Sequence, residues 1–295
     1  MDIEFDKVIS SPIRWAGSKK KLLNEMLKIC FVREKNNYVE PFLGSGVVLI
    51  NVLNNNKILK YKNFYVNDIN KNIIDFYENI KDNVDILIKN IKKIEKQYNE
   101  FSEVEKEKMY YELRDKYNND MTKKDEKVSI FYFLMKTGFN GVYRENSNGK
   151  FNVPFGRKKK INGDYSKLRT ISNLIQNVNF YNMDYVEFLN MLYKKKIINK
   201  SFVYCDPPYL PEDSCKIKRI DIYTKDSFNH EDFFNRIKKY KSCTMISLAR
   251  TAKSDQIYEK DDFSRIPVSN IVRTVNPQKI FTSEEVAYVN YEIGR

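Results

Sequence analysis

The chain has 295 residues, of which 42% are hydrophobic and 14% aromatic, so it carries enough apolar side chain to fold and is not a disordered polypeptide. Lys and Arg exceed Asp and Glu by 52 to 39, and the formal charge of +13 favours a polyanionic partner, with nucleic acid first among them. A generally lysine-rich surface would produce the same excess, so the charge indicates a class of partner and nothing finer.

The cysteines and the histidine argue against a metal centre. No two of Cys30, Cys205, Cys215 and Cys243 form a C-x-x-C pair, and His230 is the one histidine, so we expect neither a zinc site nor a disulfide framework. No run approaches the ~20 apolar residues that cross a bilayer, and the start "MDIEFDK" lacks the order of a signal peptide. We therefore expect a soluble, reduced, intracellular protein that acts as a monomer and contacts no membrane.

A glycine turn follows the first strand-like run. From Tyr38 the sequence reads "YVEPFLGSGVVLINVLNNN", which predicts a strand, a turn at Gly44 and Gly46 and a helix. The next run, "NFYVNDIN", predicts a strand that ends at Asp68. This order is typical of a βαβ unit, and the gap from Gly46 to Asp68 is close to the ~20 residues that separate the glycines of nucleotide folds from their ribose-binding acid. A βαβ unit without a ligand would show the same pattern.

The composition changes after the second strand. Residues 77–128 are charged, have helical periodicity and contain no glycine. An aromatic stretch follows, in which Asn148-Gly149 and Pro154 mark turns around a predicted β-hairpin. Strand-like runs then return in "NVNFYNMDYVEFL" and "SFVYCDPPY". We predict one α/β domain, formed by residues 1–76 and 165–295, that a mainly helical, basic insert of residues 77–164 interrupts.

The run "FVYCDPPYLP" places one acid and one aromatic ring on a rigid turn at the end of a strand. A tight turn capping a buried strand is the simplest interpretation. The turn also suits the exocyclic amine of adenine, whose lone pair is delocalised until acceptors hold its hydrogens. Asp206 and the carbonyl of Pro207 could accept both N–H groups, and Tyr209 could stack on the base, a contact worth ~1–3 kcal/mol.

The glycine turn and Asp68 could form a nucleoside site for the group donor. S-adenosylmethionine has no phosphate, so Gly44 and Gly46 would permit close approach of its amino-acid tail, and Asp68 would bind its ribose hydroxyls. Ligands of open α/β sheets collect beyond the carboxyl ends of the strands. Donor and acceptor would therefore meet at one edge of the sheet, where catalysis would depend mainly on positioning and electrostatics.

Several motifs, in a fixed order, resemble those of the Dam-like, D12-class DNA adenine-N6 methyltransferases. They are "PIRWAGSKKKLL", "VEPFLGSGVVL", "VNDINKNIIDFY", "GFNGVYRENSNGKFNVPFG" and "YCDPPY", and they cover almost the whole chain. The resemblance implies a Rossmann-like class I methyltransferase sheet with helices on both faces, plus an inserted, mainly helical DNA-recognition domain with a β-hairpin. It also implies methyl transfer from S-adenosylmethionine to N6 of an adenine flipped out of double-stranded DNA, by an enzyme of the kind found in restriction-modification systems.

The resemblance assigns roles to individual residues. The catalytic residues would be Asp206, Pro207 and Tyr209. The cofactor would contact Trp15, Lys19, Glu40, Phe42, Gly44, Gly46, Asp68, Asp184 and Asp206, with Asp184 on the adenine amine. Three of these residues have an ordinary alternative: Trp15 could belong to the core, Lys19 could be a solvated charge, and Asp184 could be the N-cap of the helix that begins in "YVEFL". Asp206 is the exception, since an acid held before two prolines is hard to explain as a surface residue.

The predicted hairpin is the candidate DNA contact. Its polar and aromatic side chains could reach base edges and phosphates, and Arg144 is our choice for a major-groove contact. The full set is Tyr143, Arg144, Asn146, Asn148 and Lys150. A solvated Asn-Gly turn is the alternative. A flipped target leaves a gap in the duplex, and we expect the insert to fill it, although no single residue stands out.

Two short segments depart from the family pattern. Lys200-Ser201 stands where relatives often carry Gly-Asp, and Leu248-Ala249 stands where Ser-Asn is frequent. These differences concern the shape of the loop near the target and leave the carboxylate of Asp206 in place.

Other functions remain open at this level. Cys205 could suggest attack on cytosine carbon 5, but no positive group accompanies it, and strand alternation points it away from Asp206. His230, in "SFNHEDFF", fits a helix start better than a base. Relatives of this chemistry act on protein amides or RNA, and a non-catalytic DNA-binding protein could keep the fold. Intact Asp206, Tyr209 and Asp68 argue against that last possibility.

Overall fold

The computed structural model describes residues 4–15, 17, 19–32, 35–119, 121–210, 228–276 and 279–293, and of residues 271–276 and 279–282 it describes only the backbone. Cys215, one of the cysteines considered above, lies outside these ranges. Within them, no helix is long and apolar enough to cross a membrane.

A seven-stranded sheet forms the centre of the molecule, in the order β3-β2-β1-β4-β5-β7-β6. Strands β1 to β5 are parallel, and β7 lies antiparallel between β5 and β6. Strands β2 and β3 lie on one side of β1, and β4 and β5 lie on the other. The chain order therefore reverses between β1 and β4, and ligands of such sheets bind at the ends of the strands at this switch point. The strands are β1 Asn37–Glu40, β2 Asn63–Asn67, β3 Val178–Tyr181, β4 Ser201–Cys205, β5 Cys243–Ala249, β6 Ser264–Asn276 and β7 Lys279–Val289.

Helices cover both faces of the sheet, which confirms the predicted α/β architecture. Helices α8, α9 and α10 pack against one face, whereas α1, α2, α4, α6 and α7 belong to the core of the other. Their bounds are α1 Leu23–Ile29, α2 Val47–Asn54, α3 Asn56–Leu59, α4 Lys71–Glu100, α5 Glu103–Tyr117, α6 Lys124–Thr137, α7 Tyr165–Leu174, α8 Tyr185–Lys194, α9 His230–Ile237 and α10 Ala252–Tyr258.

Strand β4 is buried along its whole length, which explains the apolar run that follows Ser201. All of its side chains are buried, and they alternate between the two cores: Phe202 and Tyr204 face one, Val203 and Cys205 the other. A parallel strand covered on both faces has no polar side to present. Burial raises the pKa of the Cys205 thiol well above its usual value, so this cysteine is not an activated nucleophile.

The predicted boundary at residue 77 falls inside a helix. Helix α4 begins at Lys71, after the N-cap Asn70, and continues to Glu100 with one non-helical residue, Asn83 (φ −138°, ψ 34°). No glycine or proline interrupts this stretch, so nothing in the backbone ends the helix where the composition changes. The buried residues of α4 and α6 belong to the same hydrophobic core as one face of the sheet. The division into domains therefore stays a prediction.

The predicted hairpin is a bridged loop rather than a pair of strands. Isolated antiparallel bridges join Gly138 to Phe155 and Glu145 to Phe151. The side chain of Asn118 clamps Phe151, because its amide donates to the Phe151 carbonyl (3.0 Å) and its oxygen accepts from the Phe151 N–H (2.9 Å). The Asn-Gly turn lies at the tip, where Gly149 takes a left-handed φ of 72°. The loop is thus fixed at its base and exposed at its tip.

Candidate active site

The glycine turn after β1 binds the acid at the end of β2. The Gly44 N–H donates to Asp68 Oδ2 (2.8 Å), and the Asn70 N–H donates to Asp68 Oδ1 (2.8 Å). Burial raises the pKa of Asp68 to about 6, against the opposing effect of these two hydrogen bonds. The predicted pairing of glycine turn and acid is therefore a direct contact in the structure.

Aromatic rings enclose the glycine turn. Gly44 and Gly46 both have left-handed φ values, 50° and 66°. A Cβ on Gly44 would lie 3.3 Å from the indole of Trp15, and one on Gly46 would lie 2.6 Å from Cζ of Tyr77. Only glycine fits both the conformation and the space. The half-buried Trp15 therefore lies at the turn and also packs against the core, and its contact with a cofactor stays a prediction.

Lys19 joins the amino-terminal motif to the turn after β4. Its Nζ lies 2.5 Å from Asp206 Oδ1, 3.3 Å from the Gly17 carbonyl oxygen and 4.8 Å from the centroid of the Tyr209 ring. Lys19 is 2% exposed and Asp206 23% exposed. Burial is the largest single effect and would lower the pKa of Lys19, but the interactions with Asp206 and Tyr209 together outweigh it, so the pKa is raised. Lys19 is consequently a buried cation, and the solvated-charge alternative is wrong.

Glu285 is a site residue that sequence reasoning missed. The Tyr209 hydroxyl donates to Glu285 Oε2 (2.9 Å), and Glu285 is 1% exposed on β7. Burial raises the pKa of Tyr209 to about 12, so the phenol stays protonated. In β5, Ala249 pairs with Glu285, so one departure from the family pattern lies beside this contact. No motif considered in the sequence includes Glu285, and nothing in the sequence indicated its contact with Tyr209, 76 residues away.

Glu40, the last residue of β1, and Phe42, two residues later, are the other predicted cofactor contacts in this region. Glu40 is 1% exposed and accepts a hydrogen bond from the Tyr38 hydroxyl (2.8 Å). Burial raises the pKa of Glu40 well above its usual value, and the charges of Asp206 and Asp68 add to the rise. Phe42 is half-buried, with the Tyr185 ring centroid 5.3 Å away. Their contact with a cofactor stays a prediction.

Asp184 is the N-cap of α8, as its alternative interpretation proposed. Its Oδ1 accepts the Val186 N–H (2.7 Å), and the side chain is exposed. The neighbouring Asn182 amide donates to the Asp68 carbonyl (2.8 Å), and the Asn67 amide donates to the Met183 carbonyl (3.0 Å). These asparagines, which sequence reasoning did not single out, hold Asp184 beside the acid at the end of β2. The contact with adenine stays a prediction.

The candidate DNA contacts divide by exposure. Arg144, Asn146, Asn148 and Lys150 are exposed, but Tyr143 is only 3% exposed. Tyr143 stacks on Trp15 with 5.4 Å between the ring centroids, and its hydroxyl accepts from the Asn72 amide (2.8 Å). We therefore remove Tyr143 from the DNA contacts, because its side chain points into the core while its neighbour Arg144 points outward.

An exposed aromatic residue lies close to this loop. Phe139 is 54% exposed, in the turn Phe139–Gly141 that follows α6. Its N–H donates to the Pro154 carbonyl (2.9 Å), and a Cβ on Gly141 would lie 2.6 Å from Cδ of Arg14, next to Trp15 in the chain. The ring thus projects from a fixed turn beside the amino-terminal motif. The sequence did not distinguish Phe139, because many aromatic residues occur in this stretch.

The described residues contain no group of three or more His, Cys, Asp or Glu side chains arranged to hold a metal ion. The polar groups of the site come instead from four places: the amino-terminal motif, the glycine turn, the end of β2 and the turn after β4. They converge at the carboxyl edge of the parallel strands, where the predicted donor and acceptor sites should meet.

Parallel strands β1 to β5 followed by the antiparallel β7 and β6, with a glycine turn after β1 and an acid after β2, define a class I methyltransferase fold. The chain belongs to the D12 class N6 adenine-specific DNA methyltransferase family, whose model matches residues 15–274. The resemblance derived from the motifs is thereby confirmed, and with it the class of enzyme.

Relatives extend over most of the chain. It is 30% identical over 294 residues to the type II methyltransferase M.MjaIII of Methanocaldococcus jannaschii, an alignment that covers 95% of this chain and 98% of that protein. It is 31% identical over 274 residues to the DNA adenine methylase of Haemophilus influenzae, covering 90% and 88%. It is 26% identical to the type II methyltransferase M1.LlaDCHI of Lactococcus lactis subsp. cremoris, covering 86% of each chain.

Proposed function

We propose that the protein transfers the methyl group of S-adenosylmethionine to the exocyclic N6 of an adenine flipped out of double-stranded DNA. The observation that carries this proposal is the position of Asp206: it follows β4 at the switch point of the sheet and pairs with a lysine of the amino-terminal motif. A carboxylate has two oxygens with about four lone-pair sites, so a single aspartate can accept hydrogen bonds from a lysine and from an amine at the same time.

The residues around the glycine turn fit S-adenosylmethionine. The cofactor supplies a methyl group on a positively charged sulfonium. Gly44 and Gly46 provide a left-handed turn, closely packed by Trp15 and Tyr77, next to which its tail would lie. Asp68 offers carboxylate oxygens to its ribose, and the acids Asp68 and Asp206 complement its positive charge. Ile69, beside Asp68, is 57% exposed and offers an apolar surface to a purine.

At the target, Asp206 and the Pro207 carbonyl would accept the two N–H groups of adenine N6, which turns the nitrogen lone pair toward the methyl group. Tyr209 would stack on the base, since Lys19 on one side and Glu285 at its hydroxyl fix the ring. Lys19 keeps its positive charge and thereby holds Asp206 ionised and oriented. Positioning and fixed charge perform the catalysis.

Nucleoside mass spectrometry tests this function directly. Purified protein is incubated with double-stranded DNA and labelled S-adenosylmethionine, and the digested DNA should contain labelled N6-methyladenine. Parallel reactions with RNA and with protein extract distinguish the other substrates that this chemistry allows. Label on cytosine or on protein, or no label with any substrate, would contradict the proposal.

Arg144 is proposed to read a base edge. Its Nε donates to Asn152 Oδ1 (2.8 Å), which holds the exposed guanidinium in one direction. Once the methylated sequence is known, Arg144→Ala should lower discrimination against a one-base change by roughly 5- to 150-fold, equivalent to about 1–3 kcal/mol. Competition binding at several salt concentrations measures both the discrimination and the salt slope.

Lys150 provides the matched control for Arg144. It is exposed on the same loop, so Lys150→Ala should weaken binding equally for all sequences and reduce the salt slope by about 1, as a phosphate contact does. If Arg144→Ala behaves in that way too, Arg144 contacts a phosphate and does not read sequence.

Phe139 is proposed to fill the gap that the flipped adenine leaves in the duplex. The ring of Phe139 is 54% exposed and lies on a fixed turn, so it can stack on the bases that flank the gap. Such a contact is worth ~1–3 kcal/mol per base. Phe139→Ala should therefore reduce the fluorescence increase of 2-aminopurine placed at the target, and a mismatched target should restore much of it because less pairing is broken.

Met121→Ala is the control for removing an exposed apolar side chain, because Met121 is 89% exposed in the loop between α5 and α6. It should leave the fluorescence change intact. If Phe139→Ala gives the same fluorescence increase as the unaltered protein, or if both variants lose it equally, another residue fills the gap.

A further inference from the structure

Tyr143 lies between the glycine turn and the exposed loop that carries the candidate DNA contacts. It is 3% exposed, and its ring stacks on the indole of Trp15, with centroids 5.4 Å apart and 27° between the ring planes. The same indole lies 3.3 Å from the position that a Cβ on Gly44 would occupy. Trp15 therefore contacts both the glycine turn and the ring of Tyr143.

A second connection runs through the hydroxyl of Tyr143. The side-chain amide of Asn72, in the first turn of α4, donates to this hydroxyl (2.8 Å). The Asn72 N–H donates to the side chain of the N-cap Asn70 (3.0 Å), and the Asn70 N–H donates to Asp68 Oδ1 (2.8 Å). Two asparagines thus link the hydroxyl to the acid that is proposed to bind the ribose.

Tyr143 also anchors the exposed loop. Its ring packs against Phe151, with centroids 5.7 Å apart, and its hydroxyl donates to Glu145, which forms a β-bridge with Phe151. Arg144, between these two residues, is exposed. Exposed loops with few backbone hydrogen bonds open more easily than the core of a protein. The direction of Arg144 therefore depends on how firmly the buried ring beside it is held.

We propose that Tyr143 is a positioning residue that determines sequence discrimination, because it holds Arg144 in place when S-adenosylmethionine occupies the glycine turn. This inference rests on the proposed function. The cofactor would immobilise Trp15 and Asp68, and the stacked ring would transmit that constraint to the loop. Tyr143 itself contacts neither DNA nor cofactor. Since linkage is reciprocal, the cofactor and the matching DNA should strengthen each other's binding, typically by about 5- to 150-fold.

Hydrogen exchange tests this link without DNA and without activity. S-adenosylhomocysteine, which lacks the transferable methyl group, is used as the probe. The N–H groups of Asn146 and Asn152 close the loop on the carbonyls of Lys150 (2.9 Å) and Arg144 (3.1 Å). In the unaltered protein, saturating probe should slow their exchange by at least ~5-fold. Tyr143→Leu keeps an apolar side chain but removes the ring and the hydroxyl, so the probe should slow exchange by less than ~2-fold.

Two further variants separate the link from plain packing. Tyr143→Phe keeps the ring on Trp15 and should retain the protection. Tyr132→Leu is the matched control for removing a buried tyrosine ring, because Tyr132 is 2% exposed and stacks on Phe76 of α4, with centroids 6.2 Å apart. It should lower the stability of the protein, but the probe should still protect the loop.

Competition binding of DNA measures the consequence for specificity. Once the methylated sequence is known, S-adenosylhomocysteine should increase discrimination against a one-base change by at least ~5-fold in the unaltered protein and in Tyr143→Phe. In Tyr143→Leu the increase should be less than ~2-fold.

The outcomes distinguish this inference from the proposed function. Equal protection in Tyr143→Leu and the unaltered protein, or an equal loss in Tyr132→Leu, would overturn the role of Tyr143. Binding of S-adenosylhomocysteine that leaves the exchange of the loop unchanged would also overturn it, and the proposed function would stand. Failure of the unaltered protein to bind S-adenosylhomocysteine would refute the proposed function and this link with it.

Discussion

Asp206→Asn should reduce methyl transfer by roughly 10³-fold, the size of effect seen when one fixed electrostatic group is removed from an active site. The amide is the same size as the carboxylate, but it has no charge, and one of its two polar groups is a donor that faces the amine. Single-turnover methylation with saturating DNA and cofactor measures the chemical step. The thermal shift that S-adenosylmethionine produces should become smaller but stay detectable, since one of the two acids that complement its charge is lost while Gly44 and Asp68 are unchanged.

The same substitution also removes the anion beside Lys19. Loss of one partner of a buried ion pair typically lowers the free energy of unfolding by about 3–5 kcal/mol. Because Asp206 is 23% exposed, we expect a loss near the lower limit, about 3 kcal/mol. Combining Lys19→Met with Asp206→Asn should recover much of the lost stability but none of the activity. Substantial turnover by either protein would show that Asp206 does not hold the amine.

Gly46→Ala should have the largest effect on the cofactor site. A left-handed φ of 66° costs a non-glycine residue about 1–2 kcal/mol, and the added methyl would overlap the Tyr77 hydroxyl. Tyr77 is fully buried and hydrogen-bonds the Ser45 carbonyl, so it cannot move aside. Overpacking of this kind adds about 1–3 kcal/mol. Denaturant unfolding should therefore show a loss of roughly 2–5 kcal/mol, with weaker cofactor binding by calorimetry.

Gly149→Ala separates backbone strain from overlap. Gly149 has a φ of 72°, but the nearest heavy atom to an added Cβ is 4.0 Å away, at Glu145 Oε2. This variant should lose only the conformational term, about 1–2 kcal/mol, and bind S-adenosylmethionine normally. Equal losses of stability in the two variants would mean that the contact with Tyr77 imposes no constraint on the turn.

Local patterns in the sequence predicted the parts of the site that a few neighbouring residues define. The buried strand before Asp206 shows as a continuous apolar run, because a parallel strand covered on both faces needs apolar side chains throughout. The glycine turn is recognisable because glycine adopts the left-handed φ of Gly44 and Gly46 without the steric cost that other residues incur. These signals lie within a few residues of each other, so reading them requires no knowledge of the fold.

Other local patterns were insufficient. Tyr143 and Arg144 are adjacent polar-tipped residues of one loop, and only packing against Trp15 decides that the first is buried. The change to a charged composition near residue 77 suggested a boundary, but composition describes the exposed face of a helix, and α4 continues through it.

The sequence by itself therefore determined the strand before each of the two turns, the order of these strands and the residues on the turns, because backbone conformation and strand burial follow from neighbouring side chains. Only the tertiary structure decided which groups hold those turns. Lys19 reaches Asp206 across 187 residues of chain, and Tyr209 reaches Glu285 across 76. A hydrogen bond requires atoms within about 3 Å, and distances of that size between remote residues are set by the packing of the whole core.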